Sequence, residues 1–426
     1  MTVVALALAL GLMLTSWRLF DATGTALRGG VLTINAGFAL WYWLPALNVL
    51  VIGYTGAGSF AVPATAAASA VWLVLSYHVA ALAGCRGLQR WSTPDLEPAA
   101  APPPLTLLAS AILASSVALV FVRFPSSHLA LQILTGTASA RDHLTFFNRS
   151  SGAVESLTKL WEILNLWAAL FVLAAAAGTR RLLAPSALLT AAAIVAGFLG
   201  SGTRSVLLMA IFTVAAAVAL RPSATGQPRP PRTGIAALAA LAALATLAAT
   251  ALAGRFKDGI VKVFADTLLV NTDMFSETAF VLARFPGYAP HQVTDFMLTP
   301  LTFLLPRFAG FAKSTPEHLI AYNRVRAGYD IVNGQGNVFP GIVGDFQMVF
   351  GGIAGGVLFA LFIVAVLGAI DLLGRALAPG TTRRAWQVAV FAFVLVSIRD
   401  IQGSLVLVML AGLVLAWLVQ RPWRHA

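Results

Sequence analysis

Long apolar blocks alternate with short polar breaks along this chain, and most blocks run 17–22 residues. A helix of that length crosses a hydrocarbon layer about 30 Å thick. Eleven spans can be drawn: 2–18, 31–52, 62–83, 104–123, 160–178, 184–201, 204–220, 234–253, 350–371, 385–398 and 402–420. The 385–398 block is short enough to be tilted or half-exposed. The apolar stretch from Val338 is too long for one span and carries Asp345, so a short lead-in helix at 339–350 is expected before the span proper. Residues 2–17 follow no Lys or Arg and end in no small-x-small pattern, so they read as a retained helix and not as a secretory signal. The pattern predicts an all-α, polytopic integral membrane protein. It is one transmembrane domain over residues 1–426, with about 11 helices (10–12).

Composition agrees. The chain is 59% apolar and only 10% charged, against about 25% charged in a soluble domain, which excludes a soluble enzyme and a disordered chain. Cys85 is the one cysteine, so no internal disulfide and no cysteine metal site can form, and it reads as a small buried residue. A net charge of +12 would suggest nucleic acid in a soluble protein. Here the arginines stand between apolar blocks, which points to lipid headgroups, membrane orientation and an anionic substrate, with no nucleic acid.

Alternate short connections each hold at least two arginines: Arg18 and Arg28, Arg86 and Arg90, Arg180 and Arg181, Arg221 to Arg232, Arg375 to Arg384, Arg421 and Arg424. The positive-inside rule weighs short loops, so these face the cytoplasm, with the N-terminus outside and the C-terminus inside. Two outward segments are substantial, 124–159 and 254–337. Helix connections usually take a handful of residues, so the large outer loop needs a chemical reason.

Within it, 256–268 has an amphipathic helical pattern suited to the membrane surface. A second helix is expected over 273–285, capped by Asn271 or Thr272 and carrying Glu277 and Arg284. Pro290 can open a short helix with His291 and Asp295 in its first turns. The interrupted apolar segment 295–312 can dip into the outer leaflet, with Arg307 and Lys313 at headgroup level. Thr315-Pro316-Glu317 starts a helix that reaches Arg326.

Charges at the outer ends of spans are the next signal. Arg204 closes the glycine-containing hairpin 200–204, and Arg399 with Asp400 interrupts the apolar run between the last two spans. Charge near membrane depth is costly and marks a functional position unless it snorkels or pairs locally. Guanidinium groups hold phosphate oxygens through paired hydrogen bonds at every relevant pH, so several on one face suit a diphosphate and the charge that develops when it leaves. A general base for a sugar hydroxyl would come from Glu277, His291, Asp295, His318 or Asp345, with Glu277 and His291 favoured. No DxD, HExxH, Walker or dinucleotide-binding motif occurs, so neither a metal nor a cofactor is expected. The middles of most spans carry no charge; His78, near an inner end, is the main ionisable residue within one. That asymmetry favours chemistry at the interface over transport through the middle.

Three stretches resemble the bacterial O-antigen (oligosaccharide repeat-unit) polymerases of the Wzy type. They are FLGSGTRSVLLMAIF (198–212), TPLTFLLPRFAGFAKSTPEHLIAYN (299–323) and NGQGNVFPGIVGDFQMVFGGIAGGVLFALFIV (333–364). The resemblance implies a metal-independent glycosyltransferase of the lipid-phosphate-dependent, GT-C-like class in the bacterial inner membrane. It would polymerise repeat units borne on undecaprenyl diphosphate at the periplasmic face, alongside a flippase and a chain-length regulator. It points to Arg204, Arg307 and Lys313 as diphosphate and glycan ligands, with Arg204 and Arg307 also catalytic; position adds Arg284 and Arg399. Arg324, Arg326 and Asn337 complete the candidate binding set, although an arginine followed eleven residues later by glycine, seen in some members, is not matched at Arg324 or Arg326. The related O-antigen ligases share the plan and are the alternative, ahead of a polysaccharide or lipid transporter.

Overall fold

The computed structural model describes residues 2–19, 24–47, 49–50, 63–89, 105–124, 126–138, 140, 153–201, 205–221, 273–285, 317–328, 339–377, 379–399 and 404–420. The regular structure among them is all helical. The first helices are α1 (Thr2–Leu19), α2 (Thr25–Phe38) and α3 (Leu44–Leu47), the last two joined by a wider π turn at Ala39–Trp43. Then come α4 (Ala64–Leu88), α5 (Thr106–Arg123), α6 (Ser127–Leu134), α7 (Ala153–Gly178), α8 (Pro185–Ser201) and α9 (Ser205–Ala219). The rest are α10 (Met274–Arg284), α11 (Glu317–Ala327), α12 (Gly341–Phe350), α13 (Gly352–Gly374), α14 (Thr381–Ser397) and α15 (Ser404–Gln420). Five are long and apolar enough to cross a membrane: Thr25–Leu47, Ala64–Leu88, Thr106–Arg123, Leu157–Gly178 and Gly352–Gly374. Ten of the eleven expected spans coincide with a helix, the second beginning six residues early at Thr25. The span at 234–253, the amphipathic helix at 256–268 and the dip at 295–312 lie outside the described residues.

The short block near the C-terminus corrects the expectation of a half-exposed helix. In α14 every residue from Ala385 to Ser397 is buried, because α2, α7, α9 and α15 all pack around it. An apolar helix covered on all sides is a core helix. Close approach uses small residues, the usual means of helix contact in lipid: Gly29 lies against Phe391, Gly37 against Ile398 and Gly412 against Trp167. Elsewhere α5 pairs with α8, and α4 pairs with α13.

The lead-in helix is present as α12. Gly351, at φ 78°, lets the chain turn from α12 into α13, in a conformation that side chains with a Cβ resist. The π turn in the α2–α3 rod falls just before Pro45, which has no N–H to offer the helix, and Leu44 N–H reaches back five residues to the Ala39 carbonyl. The widened turn holds Trp41, Tyr42 and Trp43, all buried. The α2–α3 rod and α14 thus end near each other: Trp41 Nε1 donates to the Leu395 carbonyl at 3.0 Å and Tyr42 Oη to the Ile398 carbonyl at 3.4 Å. This is the Trp41 end of the bundle.

His78 stands in the middle of α4, not near an end, because the helix runs on to Leu88. Its Nδ1 accepts from Trp43 Nε1 at 3.2 Å, its Nε2 lies 3.0 Å from Asn35 Oδ1, and its ring stacks on Phe38. Asn35 in turn donates to Ser16 Oγ at 2.8 Å. This hydrogen-bonded chain, buried at His78 and Ser16 and half-buried at Asn35, ties α1, α2 and α4 together.

Candidate functional site

Three helices from the second half of the chain gather at the Trp41 end: α10, α11 and α12. Asp273, and not Asn271 or Thr272, caps α10, its Oδ1 accepting from Ser276 N–H at 2.8 Å. The α12 helix is docked by its first turn, where Val343 N–H donates to Tyr42 Oη at 3.2 Å. Gly341 begins it at φ 74°; a Cβ there would stand 2.9 Å from Tyr42 Oη and 3.1 Å from Met274 Cβ. Only glycine fits that backbone and that space.

Between α10 and α11 lies a closed polar network. Arg326 grips Glu277 with Nε at 2.9 Å from Oε2 and Nη2 at 3.0 Å from Oε1, and Tyr322 Oη also donates to Oε2. The guanidinium of Arg326 lies 5.3 Å from the Phe280 ring centre, and Phe280, Phe285 and Tyr322 pack edge-on or tilted around it. Burial opposes the charge on Arg326, but the Glu277 carboxylate outweighs it and moves its proton affinity up. Burial and the same carboxylate hold the Tyr322 hydroxyl well above its ordinary range. Burial likewise pushes the Asp273 carboxyl up to about 6. Both Glu277 oxygens are engaged, which suits holding two helices in place better than taking up a proton.

A second pair lies between α11 and α12. His318 Nε2 is 3.3 Å from Asp345 Oδ1, and both side chains are almost wholly buried, at 3% and 5% exposure. Burial raises the proton affinity of Asp345, and the His318 contact pulls it back. A carboxyl this close to an imidazole can orient the ring, an arrangement proteins use for general bases.

Of the remaining sequence candidates, Arg399 closes α14 with its guanidinium 5.6 Å from the Trp41 ring centre, at the same end. Arg284 and Arg324 are exposed on α10 and α11. Arg204, His291, Asp295, Arg307, Lys313, Asn337 and Asp400 lie outside the described residues. Among the described residues no group of three His, Cys, Asp or Glu side chains is placed to hold a metal ion.

Sequence reasoning passed over Arg123. It ends α5 and pairs with Glu162 of α7 at 2.7 Å, while Nη1 donates to the Gly200 carbonyl at 3.2 Å. The signal was Glu162, an acid inside an apolar block, which demands a partner. Gly200 and Ser201 end α8 and Ser205 begins α9, so this pair sits beside the hairpin expected to present Arg204.

Beside α10 and α12, the α4–α13 face opens sideways as an apolar groove of about 790 Å³. Trp72, Ser76, Gly84, Gly356 and Ala360 line its length, and Leu282 of α10 and Gln347 of α12 stand at its head. Gln347 Oε1 is buried and has no hydrogen-bond partner among the described residues.

No protein-family model matches this chain, and comparison with curated proteins and with solved structures found no match.

Proposed function

We propose that this protein is a membrane-embedded glycosyltransferase of the repeat-unit polymerase kind. It moves a glycan from a polyprenyl-diphosphate carrier to a sugar hydroxyl of the next carrier-linked unit. The observation that carries the reading is that two environments share helices: a lateral apolar groove of about 790 Å³ is lined in part by Leu282 of α10 and Gln347 of α12, and the same two helices carry Glu277 and Asp345, paired with Arg326 and His318 of α11. A lipid-anchored substrate needs both, tail in hydrocarbon and reacting head in a polar site. The three sequence stretches resembling the O-antigen polymerases supply the reaction type.

In this reading about 11 helices cross the bacterial inner membrane with the N-terminus outside, and the Trp41 end faces the periplasm. The acceptor hydroxyl attacks the donor's anomeric carbon. Its proton passes to His318, which Asp345 orients, and the bonding pair of the broken C–O bond leaves on the diphosphate oxygen. Arg399, Arg284 and Arg324, with Arg204, Arg307 and Lys313 from the loop and hairpin, stabilise that oxygen and bind the glycan. Glu277 and Arg326 position α10 against α11.

Deletion of the gene in its host tests the reading. Carrier lipid bearing a single repeat unit should accumulate. Full-length chains left on the carrier would assign a ligase instead, and unaltered carrier lipid would sink both.

A further inference from the structure

Some 25 Å from the Trp41 end, at the other end of α14, three arginines from three elements meet at one cavity. Arg180 follows the C-terminus of α7, Arg221 follows α9, and Arg384 lies in the first turn of α14. The cavity holds about 190 Å³, and Thr179 and Thr381 contribute to its wall. One water needs only about 15 Å³ of such space. The described residues lining it include no carboxylate. The acid described nearby, Asp371 on α13, is engaged by Arg375 and by Arg383 at 3.6 Å.

The local chain shows why one arginine is unexpected there. The α7 helix ends in a double closure, with Arg180 N–H on the Ala177 carbonyl and Arg181 N–H on the Ala176 carbonyl. That closure places Arg180 at φ 62°, the left-handed position that glycine normally fills. Arg221 reinforces it by donating from Nε and Nη2 to the Ala177 carbonyl. A guanidinium is thus held where backbone preference alone would select glycine, and it borders the same cavity as two others.

We propose that this cavity binds a phosphate group carrying net negative charge, as found on an anionic phospholipid or as free phosphate. Guanidinium forks match phosphate oxygens geometrically and remain charged. The threonine hydroxyls add neutral donors, and the start of α14 has no side-chain cap and turns positive helix-dipole charge toward the wall. This site is separate from the glycan chemistry and does not depend on it.

The test uses the full chain, purified in uncharged detergent and stripped of lipid, followed by thermal unfolding. Dioleoylphosphatidylglycerol should raise the unfolding midpoint in a saturable way, and dioleoylphosphatidylcholine should not. An equal rise with inorganic phosphate, against chloride at matched ionic strength, would assign the site to the free ion. A rise with the lipid alone would assign it to the headgroup. The double variant Arg180→Gly/Arg384→Gln should need at least about tenfold more ligand, since each loses a charge-assisted bond. Arg180→Gly alone should raise the ligand-free midpoint, because glycine prefers that backbone, so misfolding cannot mimic loss of binding. Equal responses to the two lipids, no response to lipid or phosphate, or an unchanged response in the double variant would overturn the proposal.

Discussion

Arg326 reaches Glu277 across 49 residues of sequence and meets it with a two-pronged contact, at 2.9 and 3.0 Å, in a setting where both side chains are about nine-tenths covered. The contact joins α10 to α11, with Tyr322 hydrogen-bonded to the same carboxylate and Phe280 beneath the guanidinium. A pair in this position orients what surrounds it, including His318 on the N-terminal turn of the same α11 helix.

Removing one partner should therefore cost more than removing both. Arg326→Ala leaves a shielded carboxylate without its cation, and such losses run to about 3–5 kcal/mol when burial is complete; the residual exposure here places the expected loss near 2–3 kcal/mol. Arg326→Lys should recover only part, because an ammonium cannot make the paired contact. The double variant Glu277→Gln/Arg326→Gln should be more stable than Arg326→Ala. Thermal unfolding of the three proteins in one detergent decides it, and equal midpoints would show that the pair is solvated in practice.

His318→Ala should reduce product formation by about 10²–10⁴-fold, the range for loss of a general base, with the protein still in the membrane at parental level. Asp345→Asn keeps the shape but not the charge, and should slow turnover while leaving more activity than His318→Ala. If both variants polymerise at the parental rate, the pair is structural and the base lies elsewhere in the large loop.

The arginines of the hairpin and loop make a separate prediction. Arg204→Ala and Arg307→Ala are each expected to reduce product greatly at matched expression, whereas the lysine variants should retain part of the activity through charge alone. Parental product levels from either alanine variant would remove that residue from the site.

Asp273 gives a pH dependence whose sign can be worked out. Its carboxyl is raised from 3.8 to about 6 by burial, so between those values the folded protein holds a proton that the unfolded chain releases. Its contribution to stability is then full below about pH 4, falls as pH rises through about 6, and is level above. Asp273→Asn keeps an effective cap and removes the titration. The variant should lose that slope and be more stable at pH 7, by at most about 3 kcal/mol. Midpoints of parent and variant from pH 4 to 8 measure it; parallel curves would show that the carboxyl titrates alike in both states.

Much of the architecture could be read from residue order alone, because crossing hydrocarbon demands length and apolarity and little else. The lead-in helix was visible in the same way, since the stretch from Val338 is too long for one span and carries Asp345. What escaped was pairing. Glu277 and Arg284 lie seven residues apart on α10, but the guanidinium that grips Glu277 is Arg326, on another helix 49 residues away. Candidate bases were five separate residues until α11 met α12 and joined His318 to Asp345. The central position of α14 was hidden because burial by other helices and burial by lipid select the same side chains.

Two adjacent glycines on α13 test the groove itself. A Cβ on Gly355 would meet Tyr77 Oη at 2.1 Å and the Phe346 carbonyl at 2.9 Å, so Gly355→Ala must push α13 away from α4 and lower the unfolding midpoint. A Cβ on Gly356 would have its nearest neighbour, Tyr77 Cε2, at 3.7 Å, an ordinary contact, and Gly356 lines the groove. Gly356→Leu should therefore fold with a midpoint at or above the parental one, while its side chain occupies space needed by a lipid tail. Product formation should fall with a long polyprenyl carrier and be spared with a carrier analogue whose tail is too short to enter. Equal activity with both carriers would show that the tail lies elsewhere, whatever the chemistry at the head of the groove.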